Sequence, residues 1–65
     1  VPKITNKQSF CLIRLSRARV YLENTFQGVS DGQWEVGQRA LRDLRNTLDA
    51  VEAQVNIALE EENGE

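Results

Sequence analysis

Histidine is absent from this chain, cysteine and proline occur once each, and no long apolar run is present. With Cys11 as the lone thiol and no imidazole, the usual four-ligand zinc cages cannot be assembled, so no metal is expected. One cysteine also excludes a disulfide within the chain, and an unpaired thiol suits a reducing, cytoplasmic setting. No apolar stretch approaches the ~20 residues needed to cross a bilayer. The first residues lack the charged-then-apolar layout of a secretory signal, so no membrane association is expected. Catalysis needs a nucleophile beside a base, a metal or paired carboxylates in a cleft, and phosphate cofactors need a glycine-rich loop. None of these is legible, so the expectation is no enzyme, no catalytic residue and no cofactor.

What is there is ordinary for a folded protein: 65 residues, 40% hydrophobic and 28% charged. That is room for one domain. Chains this short bury too little surface to be comfortable alone and lean on disulfides, metals or partner subunits. The first two are ruled out above, which leaves oligomerisation. The net charge of −2 hides a gradient. Residues 1–27 hold Lys3, Lys7, Arg14, Arg17 and Arg19 against Glu23, a net +4, whereas residues 28–65 hold three arginines against nine acids, a net −6. Two halves of opposite sign attract when packed side by side.

The sequence QGVSDGQ, residues 27–33, is the one interior stretch that reads as a turn. Gly28 suits the left-handed residue that closes a helix, with Val29 as its apolar follower. Ser30 and Gln33 have the spacing of a capping box, and Asp31 and Glu35 favour the positive end of a new helix. Val29 and Trp34 stand at the positions of a hydrophobic staple. A second box, Thr5 with Gln8, follows Pro2. The reading is all-α: a single helical-hairpin domain with helix 1 over about 6–27, a turn at 28–30, helix 2 over about 31–59 and a fraying acidic tail over 60–65. The four residues from Gly28 to Asp31, the turn and the first residue beyond it, suit an antiparallel pair.

In LRDLRNTLDAVEAQVNIAL, residues 41–59, Leu41, Leu44, Leu48, Val51, Val55 and Ala58 recur at alternating gaps of three and four. Gly37 and Trp34 extend that seam backwards. Gly37 costs about 1 kcal/mol in a helix interior against alanine, and its place on the seam fits either close approach of another backbone or plain tolerance. Glu35 precedes Arg39 by four on the solvated side, the favourable order for an ion pair. Helix 1 offers Cys11, Leu15, Ala18, Leu22 and Phe26, with Leu12 beside them. One hairpin leaves half of each stripe open, whereas a four-helix arrangement covers both. The expectation is therefore a homodimer, with Leu15, Leu22, Phe26, Leu41, Leu44, Leu48, Val51 and Val55 serving as core and dimer contacts.

Phe10, Arg14, Arg17 and Tyr21 follow one another along the flank of helix 1, with Ile13 and Val20 nearly opposite its core face. Two readings are open for them. They form the edge of a wide core covered by arginine stems, or, with Trp34, a patch that binds a second protein. QSFCLIRLSRARVYLENTF followed by a capped heptad helix resembles, in overall character, the small phage-encoded host-takeover proteins, including anti-activators. That resemblance implies a non-enzymatic inhibitor that occupies a functional surface of a transcription regulator or ATPase. In length and layout the chain is also similar to the plasmid Rop proteins, short hairpins that dimerise and bind RNA. That likeness implies nucleic acid, RNA or DNA, as the alternative partner of Lys3, Lys7, Arg14, Arg17 and Arg19.

Overall fold

The computed structural model describes residues 5–64. It is all-helical, with two helices packed against each other: α1, Asn6–Ser30, and α2, Trp34–Asn63. Pro2, Lys3 and Glu65, which entered the reading above, lie outside the described residues.

Helix α1 starts where the capping pattern placed it. The Gln8 amide donates to the Thr5 hydroxyl oxygen at 3.2 Å, and the Thr5 amide donates to Gln8 Oε1 at 2.8 Å. Each side chain thereby satisfies a free backbone donor of the other residue.

The turn falls three residues later than expected, at residues 31–33. Gly32, not Gly28, takes the left-handed conformation, with φ +73°. Around it the Gln33 amide donates to the Gly28 carbonyl at 2.8 Å, and the Gly32 amide donates to the Val29 carbonyl at 3.1 Å. These are the paired bonds of a helix end closed by a left-handed glycine. Ser30 is consequently the last residue of α1, and its expected capping box with Gln33 does not form. Gln33 caps α2 without a side-chain bond. Two glycines compete for the closing role in QGVSDGQ, and packing decides between them, because Gly28 has another task.

That task is the helix crossing. Gly28 and Gly37 are both buried, and a Cβ placed on Gly28 would stand 2.7 Å from the Gly37 amide nitrogen and 2.9 Å from its Cα. Close backbone approach, one of the two readings open for Gly37, is therefore what the structure shows. At the far end Lys7 pairs with Glu61 across the helices, and α2 runs to Asn63, past the expected end at residue 59. Among the described residues the ion pair is this one and not Glu35 with Arg39.

Between these two anchors the seam is lined by small and partly polar side chains. The buried positions are Ala18 and Gly28 on α1 and Gly37, Ala40 and Val51 on α2, and the half-buried ones beside them include Cys11, Arg14, Tyr21 and Thr25 on α1 and Leu44, Thr47, Gln54 and Ala58 on α2. Thr25 fits there because its hydroxyl donates to the Tyr21 carbonyl of its own helix at 2.8 Å, so no polar atom is stranded. Of the apolar stripe expected on helix 1, Cys11 and Ala18 line this seam, whereas within one hairpin Leu15, Leu22 and Phe26 are exposed, because the line of contact is rotated toward Arg14 and Tyr21. On α2 the stripe splits. Gly37, Leu44, Val51 and Ala58 face α1, while Trp34, Leu41, Leu48 and Val55 stay open. Two cylinders touch along a line, so one neighbour cannot cover an apolar stripe of 100° or more.

Candidate functional site

The open side chains gather on one side of the hairpin. Leu15, Leu22 and Val29 stand four residues after the seam positions Cys11, Ala18 and Thr25, while Leu41, Leu48 and Val55 stand four after Gly37, Leu44 and Val51. Steps in the same rotational sense from the seam of an antiparallel pair reach the same face. A groove of about 290 Å³ places Gln8 and Cys11 of α1 alongside Val55, Leu59 and Glu62 of α2 on that face. Leu12, Phe26 and Leu59 widen the face, and Trp34, the first residue of α2, stands at its turn end. Phe26 and Trp34 are two-thirds exposed, at 67% and 69%. Ten large apolar side chains therefore share one face: Leu12, Leu15, Leu22, Phe26, Val29, Trp34, Leu41, Leu48, Val55 and Leu59. Scattered exposed leucines need no explanation, but a contiguous apolar band along a whole molecule does.

The opposite face carries four exposed large apolar side chains, Ile13, Val20, Val36 and Ile57. They stand among Arg17, Arg39 and Asp43. A groove of about 280 Å³ on this side runs from Tyr21 and Asn24 past Gln27 to Val36, Arg39 and Asp43. Of the residues expected to bind a partner, Phe10, Arg14, Arg17 and Tyr21 do lie along one flank. The Arg14 guanidinium stacks 3.8 Å above the centre of the Phe10 ring, a cation–π contact that stiffens a long side chain. Arg14 and Tyr21 are half-buried at the edge of the seam and Arg17 is free in solvent. Trp34 belongs to the other face, so the five do not form one patch.

Leu12, Val29 and Leu59 were not singled out as dimer contacts on sequence grounds, although each stands next to the stripe in helical position. The signal was present but diluted, because Leu12 and Leu59 have counterparts of equal apolarity, Ile13 and Ile57, on the other face. Cys11 is half-buried beside the groove. Among the described residues no three histidine, cysteine, aspartate or glutamate side chains gather at a common point, and no helix is long and apolar enough to cross a membrane.

The fold and this surface define a class: an all-α helical hairpin with one long apolar face. No family model matches the chain, and neither does any curated protein or solved structure.

Proposed function

We propose that the protein is a small, non-enzymatic, homodimeric protein-binding module, an inhibitor or anti-activator that occupies a functional surface of a second protein such as a transcription regulator or ATPase. The observation that carries the reading is the gathering of ten large apolar side chains on one face of a hairpin whose buried positions, among the described residues, are Ala18, Gly28, Gly37, Ala40 and Val51. A surface of that kind works by being covered. In the four-helix arrangement Leu15, Leu22, Leu41 and Leu48 become interior. The flank with Phe10, Arg14, Arg17, Ile13 and Val20 stays outside, available to a partner through aromatic and guanidinium groups of the type that dominate interface energetics.

Sedimentation at low micromolar concentration tests the dimer: a dimer is expected, and a sharply melting folded monomer overturns it. The partner half is tested separately by affinity capture from a nuclease-treated extract. A stoichiometric protein should be retrieved by the parent chain and lost on Arg17→Glu with Val20→Ser, two exposed positions whose change leaves helicity intact. Retrieval of nucleic acid alone, released at moderate salt, overturns the protein-binding reading in favour of the Rop-like one.

A further inference from the structure

The hairpin is a plank of 50 × 25 × 12 Å, one helix thick. Its accessible surface is 5594 Å², where a compact monomer of 7.4 kDa exposes about 4200 Å². Its radius of gyration is 15.1 Å, against about 11 Å for a compact chain of this length. The excess surface, roughly 1400 Å² per chain, is at least what each partner buries in a stable complex, about 600–1000 Å². A cover for the apolar face has to run its full length and be present whenever the chain folds, and a second copy of the same plank meets both conditions.

Two face-to-face pairings have two-fold symmetry. With the axis across the helices, α1 lies over the partner's α1, α2 over the partner's α2, and the two turns are at opposite ends. With the axis along the helices, each α1 lies over the partner's α2 and both turns are at the same end. All neighbouring helices are antiparallel in either case, so packing geometry alone does not choose.

Charge does. Helix α1 holds Lys7, Arg14, Arg17 and Arg19 against Glu23, a net +3, and α2 holds Arg39, Arg42 and Arg45 against seven acids, a net −4. Like over like sets both helices against their own sign. The alternative surrounds each α1 with two acidic helices and brings Glu60, Glu61 and Glu62 of α2 to the open end of the partner's α1, beside its Lys7, whereas the first pairing brings them to the start of the partner's α2, beside its Glu35. Arg19 and Arg45 reach the rim in both pairings and do not discriminate. We infer that a second copy of this chain covers the apolar face with its turn at the same end, α1 stacked on the partner's α2, and Phe26, Val29 and Trp34 of both chains forming one cluster beside the turns. This rests on the dimer half of the reading above and not on the second protein.

Spin labels at Asn63→Cys, in a chain with Cys11→Ala, measure the arrangement. Helices packed ~10 Å apart put these labels about 30 Å apart when the open ends coincide. They are about 50 Å apart, the length of the plank, when they do not. The short distance is expected. A long distance in a sedimenting dimer overturns the arrangement and leaves the homodimer standing. A monomer without dipolar coupling overturns both, as does a monomer that instead binds anionic vesicles through Trp34. A second variant gives an independent sign: Glu62→Gln should raise the dimer dissociation constant about two- to five-fold at low salt. A lowered constant, as expected if the C-terminal end of α2 met the partner's Glu35, overturns the same-end pairing.

Discussion

A methyl group at position 28 has nowhere to go, since backbone of the facing helix occupies its place at 2.7 and 2.9 Å. At position 37 the nearest atom is Val29 Cγ2 at 3.4 Å, an ordinary contact. Two glycines at one crossing thus have opposite expectations. Gly28→Ala should destabilise by about 1–2 kcal/mol, overpacking outweighing the gain in helix propensity. Gly37→Ala should be neutral or stabilising by up to ~1 kcal/mol. Urea melts of the two variants check the pair: no loss at position 28 would show that the crossing is not as close as described, and equal losses that it is as tight at Gly37 as at Gly28. Gly32→Ala forces a Cβ into the left-handed region and should cost about 1–2 kcal/mol, with Gly32→Asn milder in the same measurement. Which glycine closes the helix was not legible in QGVSDGQ, because local turn preference ranks Gly28 and Gly32 alike and only the opposing helix separates them.

At the scale of the element, both helices and their antiparallel pairing were legible, because the apolar repeat of α2 is long and a short glycine-bearing break separates it from α1; of the two capping boxes in the sequence, the Thr5–Gln8 box forms and the Ser30–Gln33 box does not. Thr5→Ala removes an acceptor from the first turn of α1 and should cost about 1 kcal/mol, seen as lost helicity at the N-terminal end in amide exchange. Seam size is the other property of the elements. Ala18 and Ala40 are buried at 6% and 7% exposure, and they let the axes approach as closely as the glycine crossing requires. Ala18→Leu should push the helices apart and destabilise by about 1–3 kcal/mol, read from the same melts. Apolar periodicity puts Cys11, Leu15, Ala18, Leu22 and Phe26 on one face of helix 1 but does not say which of them meet the other helix. The two smallest, Cys11 and Ala18, lie at the close approach, and the three larger ones stand on its flank.

For the whole molecule, the expectation is that folding and association are coupled. The melting temperature should rise with protein concentration, as it does when only the assembled state is stable. Leu22→Lys or Leu41→Lys should dissociate and largely unfold the chain at micromolar concentration, whereas Ile13→Lys on the opposite face should leave the melt within about 0.5 kcal/mol. Trp34 is the sole tryptophan, and its emission should move to shorter wavelength on association as its exposed ring is covered. A spectrum independent of concentration, together with equal tolerance of lysine on both faces, would show that the apolar band is not the contact.

By itself the sequence determined the class of structure. Periodicity of three and four residues makes helices of these segments whatever they pack against, and a short glycine-bearing break folds them back on each other. It also determined that apolar material exceeds what one hairpin can cover. The tertiary structure decided how that material is divided, because the closest approach of two helices is set by their smallest side chains. Once Gly28, Gly37, Ala18 and Ala40 define the line of contact, Leu22 and Leu41, four residues on from Ala18 and Gly37, are carried to one face.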